Sequence, residues 1–365
     1  MKQIFLITIT ALLVGFNAFA QNKKDVWVAF QNKDSTLIGF EDKNGHIKIK
    51  PRFSNYITAG RFENIIEVSE ETGGKMVCYY LTKKGRTVGK GNPYIIDNSP
   101  DCESEGFIRF RDKKTHRVGM FNSNGDIAIP ADYDNLMPVR NGMIMALKGG
   151  YWDASKQTEE NQYPWVGGKE ILINTHNKVL IDEFPLDEEI NFFSLIISTH
   201  PDKNPIRQNF KTTDGKYYSF ISFDKEFKAW LKDSLLNNLT RSKLLKFSYK
   251  SITFWDTQKH WASETKRQFV DRNFKVIMSK LRELDSANYS YDTFTDGLNP
   301  YIYNSKMFER YFDNCGAFKK WIYPVKNIVI SHNMNKDITQ DQLLFLRTNS
   351  GYKLIEVDLK VGEVD

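Results

Sequence analysis

Gly45, Gly85 and Gly125 are spaced 40 and 40 residues apart, and the text around them recurs. Aligned on these glycines, three segments read "IGFEDKNGHIKI", "CYYLTKKGRTVG" and "VGMFNSNGDIAI". A fourth, "EILINTHNKVLI" (Glu170–Ile181), puts Asn177 in the glycine position, 52 residues after Gly125. The extra length falls in "GGYWDASKQTEENQYPWVGGKE", which reads as a polar, glycine-bounded loop. A repeat of this period restricts the fold more than composition does. Each copy must be one supersecondary unit, and only stacking against neighbours can bury its apolar face.

The unit reads as a β-hairpin. Asn44-Gly45 and Asn124-Gly125 stand between alternating runs, and Asn and Gly tolerate the positive φ that both centres of a type I′ turn need. Lys84-Gly85 keeps only the glycine, so a three-residue turn with a bulge is expected there. After the turn, Ile47 and Ile49, then Ile127 and Ile129, alternate with polar residues, and Pro51 and Pro130 end the run by removing a ladder donor. "RFENIIEVSE", "SEGFIRFRD" and "RNGMIMALK" supply a third strand to each unit. The expectation is a mainly β repeat domain of three-stranded antiparallel meander units, period about 40, with Gly39, Gly45, Gly85, Gly119 and Gly125 as structural turn glycines.

"IGFEDKNGHIKIKPRF", "VGMFNSNGDIAIPADYD" and the trailing "RNGMIMALK" resemble the WG-repeat family over roughly residues 26–185. Gly39 and Gly119 match the glycine of that name, while Ile38 and Val118 replace its tryptophan. The second unit departs further, with Tyr79 for the glycine and no proline. The resemblance implies an interaction module rather than a catalyst, in proteins commonly exported from bacteria.

The repeat is expected to stop near Asp187. "INFFSLIISTH" and "KYYSFISF" read as strands, a helix begins near Asp224, and "KLLKFSYKSITFW" reads as a strand pair. Val270, Phe274, Ile277, Leu281 and Leu284 mark an amphipathic helix, and Phe308, Tyr311, Phe312 and Cys315 mark another, ended by Gly316. "QLLFLRTNSGYKLIEVDL" closes the chain as a hairpin. Residues 188–365 are therefore expected to form an α+β domain with an antiparallel sheet after a β-repeat domain at 21–187. That layout loosely resembles NTF2-like or cystatin-like domains.

Residues 1–20 carry Lys2, the apolar "IFLITITALLVGF" and the ending Ala18-Phe19-Ala20, the pattern of a signal peptide cut after Ala20. No later segment is apolar enough for a stable transmembrane span. The expected location is periplasmic, outer-membrane associated or secreted. Export permits disulfides. Cys78 and Cys102 could pair if their strands adjoin, and Cys315 reads as a buried thiol. The net charge of +6 over 365 residues is interleaved, which argues against a nucleic-acid partner.

Neither a P-loop, H-E-x-x-H, G-x-S-x-G nor a Rossmann glycine pattern is present, so no catalytic residue, cofactor or metal site is assigned. His260 with Glu264, His332 with Asp313 or Cys315, and Asp42 with His46 have too few ligands at regular spacing. Tyr151, Trp152, Tyr163 and Trp165 cluster in the insertion, where exposed rings would form a contact patch for a protein or envelope glycan. The expected function is an exported bacterial envelope protein acting as a non-catalytic binding scaffold. The alternative is an exported hydrolase, or a small-ligand-binding protein, with its site in the second half.

Overall fold

The computed structural model describes residues 25–359 except 56, 58, 97, 159–163, 187–188, 257, 259, 285–290 and 335–336. Residues 1–20, expected to be a signal peptide, and Tyr163 lie outside the described residues.

The chain is mostly strand, in several small sheets and one larger one. The first sheet contains β1 (Trp27–Gln31), β2 (Leu37–Glu41) and β3 (Ile47–Ser54). The second contains β4 (Ile65–Thr72), β5 (Lys75–Thr82) and β6 (Thr87–Val88). The third contains β7 (Phe107–Arg111), β8 (Val118–Asn122) and β9 (Ile127–Tyr133). The fourth contains β10 (Met143–Lys148), β11 (Lys169–Asn174) and β12 (Val179–Ile181). All four are antiparallel. The segments expected to complete their own unit mainly open the next sheet, because β4 pairs with β5, β7 with β8 and β10 with β11, while Arg61–Phe62 does join its own sheet beside β1. Alternation reports which face of a strand is buried, not which strand it bonds to.

These sheets stack in chain order. Ile66, Val68, Tyr79 and Leu81 of the second sheet meet Phe40, Phe53 and Phe62 from the first. On its other side, Ile65 and Tyr80 meet Ile108, Phe110 and Phe121 of the third. On β10, Ile144 and Ala146 face the third sheet, while Met143 and Met145 face Phe192 and Phe220 of a fifth. Both faces of the middle sheets are therefore buried, so Ile144 and Leu172 are fully inaccessible. Ile47 and Ile127, just past the turns, stay exposed.

The turn is not type I′. Asn44 and Asn124 keep negative φ, and only Gly45 and Gly125 are left-handed, at φ +80° and +79°. The Asp42 N–H donates to His46 O at 3.0 Å and the Gly45 N–H to Asp42 O at 2.9 Å. Asn122–Asp126, Thr82–Arg86 and Asn174–Lys178 repeat this pair of bonds, with Asn177 at φ +60°. The three-residue bulged turn expected only at Gly85 thus serves every unit. The side chain at its first position explains the choice. Asp42 Oδ1 accepts from the N–H groups of Asn44 (2.8 Å) and His46 (3.1 Å), and Asn122 and Asn174 do the same.

Gly39 and Gly119 are not turn glycines. They sit inside β2 and β8, where the register slips against β3 and β9. A Cβ on Gly39 would meet Ile49 O at 2.5 Å and Pro51 N at 2.7 Å, and one on Gly119 would meet Ile129 O at 2.6 Å. The glycine makes room for the bulge that the proline strand needs.

A fifth sheet follows: β13 (Ile190–Ser198), β14 (Arg207–Lys211) and β15 (Tyr217–Ser222), in the order β13-β15-β14. Thr212–Lys216 repeats the bulged turn beyond the point where the repeat was expected to end, although the strand order differs. Phe193 and Ile197 on β13 are exposed. Ser222 then caps α1 (Phe223–Trp230) by accepting from Lys225 N–H. The segment read as a strand pair divides into α2 (Arg241–Lys246), capped by Thr240, and β16 (Ser248–Asp256).

The large sheet adds β17 (His260–Thr265), β18 (Tyr291–Asp296), β19 (Val325–Met334), β20 (Asp337–Thr348) and β21 (Gly351–Asp358). Its order is β17-β16-β21-β20-β19-β18, antiparallel except for β16–β21. The expected long helix is α3 (Lys266–Glu283). With α1 and α2 it covers one face through Phe227, Leu244, Phe269 and Ile277. The segment 297–323 covers the other through Leu298, Tyr303, Phe308 and Tyr311. The helix expected around Phe308 shrinks to the single turn Glu309–Tyr311. Its apolar residues serve different neighbours. Phe308 and Tyr311 face the sheet, Phe312 pairs with Phe318, and Cys315 leaves toward the small sheets.

Candidate functional site: a cleft under a disulfide clasp

Between the segment 94–105, with Arg109, Pro138, Arg140 and Phe193 beside it, and the segment 306–322 lies a cleft of about 1090 Å³. Cys102 and Cys315 line it and are bonded to each other, with Cα atoms 6.1 Å apart and 213 residues between them. Neither sequence expectation for these thiols holds. Cys78 is left free and half-buried on β5, and Cys315 is a bridge rather than a buried thiol. A pairing across 213 residues leaves no local trace in the sequence.

A recurring turn builds one side of the clasp. Asp313 Oδ1 accepts from the N–H groups of Cys315 and Ala317, both at 2.9 Å, and Gly316 is left-handed at φ +76°. "DNCGA" is therefore the same turn as "DKNGH". Gly316 is a turn residue here, not a helix terminator. Arg61 N–H donates to Asn314 O at 3.1 Å beside it.

Six basic and six acidic side chains line the cleft. Most of the carboxylates are engaged by the fold. Glu103 accepts from the N–H groups of Asn64 (2.9 Å) and Ile65 (3.0 Å). Glu105 accepts from Asn141 (2.6 Å) and Gly142 (2.8 Å). Asp101 binds Arg109 by two nitrogens, one at 2.5 Å, and accepts from Arg109 N–H at 2.8 Å. Burial works against the Arg109 charge, but the Asp101 carboxylate outweighs it and the pKa rises. Deeper in, Glu67 is 2% exposed. Burial, reinforced by the Asp101 charge, pushes its carboxyl up to about 8, although the Asp101 N–H donates to it at 3.2 Å.

The cations are placed otherwise. Arg140 donates through Nη1 to Ser104 Oγ (2.5 Å) and Val139 O (3.0 Å), and its guanidinium lies over the Trp321 ring. Burial brings its pKa down to about 10, leaving it charged at neutral pH. Burial also lowers Lys319. Arg310 donates to Tyr323 Oη at 3.3 Å, and Arg61 lies 3.6 Å from Glu309.

Of the described residues singled out in the insertion, Tyr151, Trp152 and Trp165 do not line this cleft. Tyr151 and Trp152 pair with Val166 and Trp165 in a small hairpin, so the insertion is not wholly loop. Tyr151 is 63% exposed. Trp152 stacks on His116 at 4.6 Å and meets Trp165 edge-on at 5.4 Å, while Arg117 covers Trp165. His260 starts a strand rather than a helix, with its ring 5.3 Å from Trp255, and Glu264 bonds Arg272 at 2.8 Å. Four residues along a strand span about 13 Å, too far to share a metal. The His332 side chain lies outside the described ones. Cys102, Asp313 and Cys315 approach within 4.8 Å, but both sulfurs are committed to the disulfide.

Residues 119–152 match the family model described as WG containing repeat. The matched stretch runs from Gly119 in β8 through β9 and β10 to Trp152. Neither a curated protein nor a solved structure matches the chain.

Proposed function

We propose that this chain is an exported, non-catalytic binding protein of a bacterial envelope, whose WG-type β array and following α+β half hold a ligand between them. The observation that carries the reading is the Cys102–Cys315 bond, which spans the cleft's two walls. A bridge of that kind persists in oxidising compartments, in agreement with the signal pattern at 1–20. The resemblance to WG repeats, commonly found in exported proteins, points the same way.

Non-catalytic binding rests on how the cleft's groups are used. Asp101, Glu103, Glu105 and Asp313 hold backbone amides or Arg109 in place. Fixed groups of this kind shape a site rather than relay protons. The hydrolase alternative draws less support, because His260 packs on Trp255 and Glu264 is bound by Arg272.

Two measurements test the proposal. Cell fractionation of the native host should recover the chain outside the cytoplasm, beginning at Gln21. A cytoplasmic chain retaining Lys2 would refute export. The purified chain should retain envelope peptides or glycans unchanged, and accumulation of a cleavage product would refute non-catalytic binding.

A further inference from the structure

We propose that the cleft recognises an oxyanion, a carboxylate or phosphate, carried on a ligand with an apolar body. The inference rests on the reading of the cleft as a binding site and adds the ligand's chemistry.

The first support is the sorting of charge. The lining is balanced by count, but four of its six carboxylates are committed to amides or to Arg109, as described above. The cations keep open capacity. Both bonds made by the Arg140 side chain use Nη1, so Nε and Nη2 have no protein acceptor among the described residues. No carboxylate lies within ion-pair distance of Arg140 there. Lys306 and Lys319 have no side-chain hydrogen-bond partner among the described residues, although Asp313 and Glu63 act on Lys319 at longer range. A half-buried guanidinium held over an indole, with Nε and Nη2 unspent, suits the planar, two-point recognition that Arg gives carboxylates and phosphates. Its burial penalty, visible in the lowered pKa, is one an incoming anion would relieve.

The second support is the apolar rim. Ile96, Phe193 and Met307 line the same cleft and are 43%, 47% and 38% exposed. Large apolar side chains left open around a charged floor suit a ligand with an apolar part. The cleft's volume lies just above the usual range of small-molecule sites, roughly 300–1,000 Å³, so a free inorganic ion would leave it mostly empty.

The test uses paired probes on the oxidised mature chain, titrated by calorimetry at low salt. One pair is N-acetyl-Leu-Leu-Phe as the free acid and as the C-terminal amide. The other is octyl phosphate and octyl glucoside. At least one anion should bind about tenfold or more tightly than its neutral twin, the scale of one hydrogen bond to a charged group. The arm that shows it tells carboxylate from phosphate. Arg140→Met and, independently, Lys319→Met should each cut the preference severalfold and leave the neutral twin's affinity unchanged. Lys319 has no packing role comparable to that of Arg140, so it keeps the test valid if Arg140→Met unfolds. Equal binding of charged and neutral twins, abolished by Phe193→Asp, would overturn the oxyanion and leave the cleft standing as a binding site. A charge preference untouched by both cation variants would place the anion elsewhere and overturn the proposal. Absence of binding by all four probes would also overturn it.

Discussion

The guanidinium of Arg140 lies 3.4 Å from the centre of the Trp321 ring. Arg140 precedes β10 and Trp321 belongs to the segment that covers the large sheet, so the contact joins the two halves of the chain. Through Ser104 Oγ the same side chain also reaches the segment that leads into β7. Trp321→Leu removes the stacked ring while keeping bulk. The expected loss is about 1–2 kcal/mol in denaturant unfolding, the range of a partly desolvated cation–π contact. Trp255→Leu, at an exposed ring, should cost less. Equal losses would contradict the role given to Trp321.

Gly39 and Gly45 carry different constraints, and alanine separates them. At Gly39 the added Cβ collides with backbone at Ile49 and Pro51, so β3 must move. A loss of about 1–3 kcal/mol is expected, as for other overpacked sites. At Gly45 nothing lies within 4 Å, but φ is +80°. There the cost is the left-handed backbone alone, about 1–2 kcal/mol. Gly45→Asn should recover part of it, because Asn tolerates that region. Gly39→Asn should be worse than Gly39→Ala. Thermal or denaturant unfolding of the four variants checks the pattern.

Glu67 should make stability depend on pH. Its folded-state pKa of about 8 exceeds the ordinary carboxyl value of 4.5. The folded chain therefore holds a proton that the unfolded chain releases between those values. The protonated form's contribution is fully present below about pH 4.5, declines as pH rises, and is gone above about 8. Its slope cannot exceed about 1.4 kcal/mol per pH unit. Glu67→Gln keeps the neutral shape and should flatten that part of the profile from pH 5 to 8. A profile unchanged by the substitution would show that Glu67 is ionised in the folded protein.

The parts of this fold legible in the sequence are those written locally. The bulged turns need a glycine or Asn at one position and an acceptor side chain three residues earlier, so "DKNGH", "NSNGD" and "NTHNK" announce themselves. The same rule finds "DNCGA", and "TTDGK" makes the same backbone turn with a glycine although its Thr212 hydroxyl donates rather than accepts. Helix α3 was legible because one face meets one sheet. Around Phe308 the same periodicity misled, since neighbouring rings serve separate partners. Strand pairing was misassigned by one step because a strand buried on both sides reads alike toward either neighbour. The cleft left almost no trace. Arg140, Trp321, Cys102 and Cys315 come from distant segments, and each alone reads as an ordinary polar, aromatic or thiol residue.

The central claim is that the two halves of the chain are clasped across the cleft in the compartment where the protein works. Protein recovered from its native host without reductant, alkylated and digested, tests this by mass spectrometry of disulfide-linked peptides. One linked pair is expected, the Cys102 peptide joined to the Cys315 peptide, with Cys78 alkylated. A Cys78–Cys102 link, or three alkylated thiols, would contradict it.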